Sequence, residues 1–108
     1  MQQNFIADKD LGYVQVAAGG VDTAQTVASL FPGGAIPKGT IVILISPEAQ
    51  ALRWRSDGTP PTTTVGYPRA VGAELRFSIA QMPQLRIISS TAGAIVNLYA
   101  LGAAGGAS

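Results

Sequence analysis

A chain of 108 residues is the length of one domain, and its 47% hydrophobic content, 17 alanines beside nine Ile, eight Val and eight Leu, supplies a single core. With 12% charged residues, a net charge of +1, and no cysteine or histidine, the chain lacks a field for nucleic acid, disulfide staples, thiolate or imidazole metal sites, and the commonest acid–base catalyst. No membrane partner is expected, because the longest apolar run, "TIVILIS", falls far short of the roughly 20 residues of a spanning helix, and "MQQNFIADKD" has none of the order of a secretory signal; the chain reads as soluble and made without an export tag.

Twenty Gly and Pro residues punctuate the sequence and leave room only for short elements. After an N-terminal arm, "GYVQVA" alternates Tyr13 and Gln15 against Val14 and Val16, as a strand does. "DTAQTVASLF", residues 22–31, fits a helix capped by Asp22 or a strand equally well, with Val27, Leu30 and Phe31 in partial helical spacing. "FPGGAIPKG" is Gly-rich and holds Lys38, but it lacks the strand-to-helix setting and the spacing of a phosphate loop, so it reads as a surface loop. Residues 40–46, "TIVILIS", are continuously apolar, which predicts a strand buried on both faces.

In "ALRWR" the period of two places Leu52 and Trp54 on one face, with Trp54 in the core, and Arg53 and Arg55 on the other, toward solvent or a neighbouring subunit. "SDGTPP" then stops the strand: Asp57 bonds downstream backbone, Gly58 supplies a positive φ, and Pro60 and Pro61 remove two donors. Thr62, Thr63 and Thr64 offer hydroxyls to exposed backbone or to a partner, and "GYP" turns the chain again. "AELRFSI" sets Leu75, Phe77 and Ile79 inward, "QLRIIS" sets Leu85 and Ile87 against Arg86 and Ile88, and "AIVNLYAL" sets Val96, Leu98 and Ala100 against Ile95, Asn97 and Tyr99. The expected fold is all-β, a β-sandwich or jelly-roll-like barrel of six to eight short antiparallel strands over residues 1–101, followed by a loose small-residue tail, 102–108.

Chemistry is sparse. The six carboxylates are scattered as caps, turn formers and solvating charges; Asp8, Lys9 and Asp10 fall well short of a calcium cage. No serine or threonine has an activating base beside it in the sequence. No catalytic, cofactor or metal residue and no small-molecule substrate is expected, and no pocket-lining set can be named. The candidates are contacts with other proteins: Arg53, Arg55, Arg76 and Arg86 as interface donors, with Thr62, Thr63, Thr64 and Tyr67. A charge-poor exterior with free strand edges favours a homo-oligomer, a dimer or trimer. The alternative is a carbohydrate-binding head in which Tyr67, Tyr99 or Trp54 stacks on a sugar.

One run of residues, Arg53, Trp54, Arg55, Asp57, Gly58, Thr59, Pro61, Thr62, Gly66, Pro68 and Gly72, followed by the strand of Leu75 and Phe77, is similar to small structural proteins of tailed bacteriophages. "LRIIS" and "AIVNLYAL" resemble the ends of such chains, so the resemblance covers residues 51–101; the doubled proline at Pro60 departs from it. It implies a β-sandwich virion protein, a capsid decoration or cement protein bound to the major capsid protein, with tail or fibre placement as the variant. It carries over no catalytic residue, and it implies assembly into a virion in the host cytoplasm.

Overall fold

The computed structural model describes residues 7–103, with side chains described from Lys9 onward. Eight strands form two antiparallel four-stranded sheets, so the chain is all-β. The first sheet has the order β1 (Ala7–Val16), β8 (Ile95–Ala103), β3 (Thr40–Ala49), β6 (Leu75–Ser78). The second has the order β2 (Gln25–Thr26), β7 (Arg86–Ser89), β4 (Leu52–Arg55), β5 (Tyr67–Arg69). Only β4 and β5 are both consecutive in the chain and paired, so nearly all the pairing is long-range and must close large loops.

Register explains the core. Val14 and Val16 of β1 lie opposite Leu98 and Val96 of β8, which lie opposite Ile45 and Pro47 of β3; Ile43 and Ile45 in turn face Phe77 and Leu75 of β6. This inward face meets Leu52 and Ile87 of the second sheet in one cluster, and Ile43, Ile45, Leu52, Ile87, Val96 and Leu98 are fully buried. Leu85, just before β7, and Val21, Val27 and Phe31, from the connection before β3, complete it.

The alternation in residues 95–100 holds, whereas four other expectations change. β3 is not buried on both faces: Ile43, Ile45 and Pro47 are, but Val42 and Leu44 on the opposite side are half-covered and Ile41 is exposed, because the core cluster lies against the first side only. Residues 22–31 are neither one helix nor one strand, since they divide into β2 and a four-residue helix, α1 (Val27–Leu30). Asp22 does not cap that helix; its carboxylate accepts from the Gly93 amide at 3.1 Å and from the Ser89 hydroxyl at 3.4 Å, tying the connection to β7 instead. Ile79 leaves the strand to start a 3-10 turn (Ile79–Gln81) and is exposed.

A fifth correction concerns the chain end. β8 continues through Gly102 and Ala103, where Gly102 pairs with Lys9 and Thr40. A Cβ on Gly102 would stand 2.8 Å from a methyl of Leu11 and 3.2 Å from the Gly39 carbonyl, so the small residue that looks like tail is what lets the backbones close. The rest of the expected tail, 104–108, and most of the expected arm, 1–6, lie outside the described residues.

Candidate functional site

Two surfaces stand out, one on each sheet. The first is built by the connection between β4 and β5, residues 56–66. At its start the Asp57 carboxylate accepts the Thr59 amide at 3.2 Å, the turn its sequence predicts, and it also takes a two-pronged contact from Arg55, Nε to Oδ1 at 3.1 Å and Nη2 to Oδ2 at 2.5 Å. The Arg55 hydrogen bond, followed by that of the Thr59 amide, holds the Asp57 carboxyl below its ordinary range, and the same contact raises the Arg55 guanidinium. Further along, Thr62 Oγ1 accepts the amides of Val65 at 2.9 Å and Thr64 at 3.3 Å, while the Thr62 amide donates to the Val65 carbonyl at 2.9 Å. The loop therefore satisfies much of its own backbone.

Arginines fasten it to the sheet. Arg53 donates from Nε to the Thr63 carbonyl at 3.1 Å and from Nη1 to the Gly66 carbonyl at 2.8 Å; Arg86 donates from Nη1 to the Gly58 carbonyl at 2.8 Å. Three of the four arginines expected at a partner interface thus hold this loop. Arg76 stands apart, exposed on the other sheet opposite Leu44. Thr62 is used within the loop, and Thr63 lends its carbonyl to Arg53; all three threonines are exposed.

"GYP" also departs from expectation. Gly66 takes φ +135°, and Tyr67 and Pro68 then pair with Trp54 and Arg53 as the edge strand β5, a place where the missing proline donor costs no ladder bond. Trp54 is half-buried rather than fully in the core, because its outer neighbour is this three-residue strand. Its indole meets Phe77 edge-on at 5.0 Å and stacks with Tyr67 at 5.1 Å with the planes 30° apart. Tyr67 itself is 67% exposed.

Arg55, Ser56, Asp57, Val65, Gly66 and Tyr67 line an open cleft of about 570 Å³. Alternation along a regular strand would keep Arg55 away from the aromatic side, but β4 ends at Arg55 and the Asp57 turn draws its guanidinium to the cleft wall. Sequence reasoning named Arg55 and Tyr67 and missed Ser56, Asp57, Val65 and Gly66. The available signal was an arginine and an aspartate two residues apart where a strand stops.

No family model, curated protein or solved structure matches the chain.

The second surface is the outer face of the first sheet. One row runs Tyr13, Tyr99, Leu44, Arg76; the next runs Asp10, Leu101, Val42, Ser78; a third holds Gln15, Asn97 and Ser46. Tyr13 and Tyr99 meet with ring centroids 5.5 Å apart, and the Tyr13 hydroxyl donates to Asn97 Oδ1. Gln15 Nε2 and Asn97 Nδ2 donate to Glu48 Oε1 at 2.9 and 3.0 Å, a side-chain network lying across three strands. The Asp10 carboxylate, ahead of desolvation, pushes the Tyr99 phenol upward, so it stays a neutral hydrogen-bonding group at physiological pH. Charges sit at the margins of this face, and Tyr13 at 55%, Ile41 at 37% and Tyr99 at 36% exposure carry its open apolar area.

Chemically, both surfaces are suited to binding. Asp57 is held ionised by Arg55 and accepts hydrogen bonds only, Ser56 has no histidine anywhere in the chain to activate it, and no three metal-ligating side chains gather among the described residues. No described helix is long and apolar enough to cross a membrane.

Proposed function

We propose that this chain is a non-enzymatic structural protein that works by assembly, a capsid decoration or cement protein of a tailed bacteriophage that self-associates and binds the major capsid protein of the virion. The observation that carries the assembly part is the outer face of the first sheet: the aromatic and aliphatic rows of Tyr13, Tyr99, Leu44, Val42 and Ile41 are neutral, with Asp10, Glu48 and Arg76 at the borders. Covering such a face removes apolar area from water, which drives most protein association. The virion part rests on the phage-like turn pattern of residues 51–101. The two-sheet core supports a sandwich-like shell component. In this reading the arginines of the second sheet brace the 56–66 loop, and contact with the partner falls to the first sheet and to β1 and β6, its outermost strands among the described residues.

Light scattering on the purified chain tests assembly. A dimer or trimer at micromolar concentration is expected, and Tyr99→Asp, which plants a charge in the middle of the neutral face, should dissociate it. A stable monomer removes self-association from the proposal. Quantifying the chain in purified particles tests the rest: hundreds of copies fit a shell protein, a few copies fit a tail or fibre component, and absence from any particle refutes a virion role.

A further inference from the structure

The cleft on the second sheet has a composition that the assembly reading does not use. We infer that it is a binding site for a neutral pyranose sugar, which lies on the exposed face of Tyr67 and hydrogen-bonds to the Arg55–Asp57 pair and to Ser56.

The aromatic wall comes first. One side of the Tyr67 ring rests on Trp54, 5.1 Å away, while the ring remains 67% exposed and lines the cleft. That is a fixed, flat, apolar surface with a free face, of the kind that the C–H face of a sugar ring covers. Val65, 51% exposed, adds an aliphatic border.

The polar wall decides the class of ligand. Arg55 spends two N–H groups on Asp57 and keeps three of its five; Asp57 Oδ1 is filled by Arg55 Nε and the Thr59 amide, and Oδ2 keeps an unused lone pair. The pair is neutral as a unit. A phosphate or carboxylate ligand would have to approach against the charge of the Asp57 carboxylate, and a cation against that of the Arg55 guanidinium. Adjacent hydroxyls of a sugar do neither, because one donates to Asp57 while its neighbour accepts from Arg55, and the pair stays intact. Ser56 lies on the same lining, and a serine hydroxyl donates or accepts as needed.

The frame is built before any ligand arrives. Arg53 and Arg86 hold the loop through the Thr63, Gly66 and Gly58 carbonyls, and Tyr67 is fixed by pairing opposite Trp54, so few groups must be ordered on binding. At about 570 Å³ the cleft has the size of a small-ligand site. Being open, with one aromatic wall, it should bind a single sugar ring with a dissociation constant of roughly millimolar. The site lies on the sheet opposite the proposed assembly face, so its test stands independently of oligomeric state.

Amide chemical-shift titration of the full chain, with Trp54 fluorescence as a second readout, tests the inference. The probes are methyl glucopyranoside, galactopyranoside and mannopyranoside in both anomeric forms, with inorganic phosphate and acetate as anionic competitors. At least one hexoside should give saturable shifts centred on Arg55, Asp57 and Tyr67, while the anions give none at equal concentration. Tyr67→Ala should weaken binding by about ten-fold or more, Tyr67→Phe should keep it within roughly three-fold, and Asp57→Asn should lower it several-fold. Arg76→Ala, on the other sheet, should leave it unchanged. If Tyr67→Ala fails to fold, the Phe and Asn variants carry the test. The inference is overturned if no hexoside saturates by roughly 50 mM, if binding survives Tyr67→Ala in a folded protein, if Asp57→Asn binds as the parent does, or if an anion binds more tightly than every hexoside.

Discussion

Replacing Arg53 with methionine isolates what the arginine clamp contributes. The substitution keeps an unbranched apolar stem in the register position opposite Ile88, which is buried, and deletes two charged-donor hydrogen bonds, to the Thr63 carbonyl at 3.1 Å and to the Gly66 carbonyl at 2.8 Å. A bond from a charged donor contributes about 1.5–3 kcal/mol when shielded and less in open solvent. The Gly66 bond is part-buried and the Thr63 bond exposed, so roughly 1.5 and roughly 0.5 kcal/mol are reasonable shares, about 2 kcal/mol together. For a domain of this size that lowers Tm by about 8 °C. Thermal unfolding followed by circular dichroism measures the shift, and hydrogen exchange reads the amides of Thr62, Thr64 and Val65, which the folded loop holds in internal hydrogen bonds. A Tm within about 2 °C of the parent, with loop protection unchanged, would show that the guanidinium is not what fastens the loop.

Two further outcomes probe the same region. Gly66→Ala should destabilise by roughly 2 kcal/mol in chemical denaturation, since φ +135° disfavours any side chain and the new Cβ would sit 3.1 Å from Pro61 Cβ, 3.2 Å from the Trp54 carbonyl and 3.3 Å from Arg53 Cβ, none of which can swing aside; unchanged stability would contradict the tight β4–β5 approach. Asp57, whose folded pKa is depressed, contributes its stabilisation above its unfolded pKa and loses it as pH falls through the folded one. A carbon-detected titration of its carboxyl should therefore inflect below the ordinary value of about 3.9, with Thr59 amide protection falling in the same range; an ordinary inflection would mean the Arg55 contact does not persist in solution.

Much of this fold was legible from period-two patterning alone. Burial of Leu75, Phe77, Val96, Leu98 and Ala100 follows from alternation, because successive side chains of a strand must point to opposite faces and the apolar set takes the core. The Asp57–Gly58 turn was equally legible, since its chemistry is contained within three residues. Local pattern misleads where a distant neighbour decides. Residues 40–46 look buried on both faces, but which side of a strand is covered depends on what lies over it, and the core cluster takes Ile43 and Ile45 and leaves Leu44 half-covered. Asp22 has the look of a helix cap, but its partner is Gly93, 71 positions away.

The candidate site divides in the same way. The sequence by itself determined that Arg53 would lie on the strand face opposite Leu52, that the chain would break at Asp57, and that little acid–base chemistry was available. Only the tertiary structure decided that Arg53 and Arg86 are spent on loop carbonyls, that Gly102 belongs to a strand, and that Tyr67 stacks on Trp54 beside the Arg55–Asp57 pair. The reason is physical: a strand's period fixes directions relative to its own axis, whereas the partner that a guanidinium or an aromatic ring meets depends on how segments far apart in the chain are brought into register.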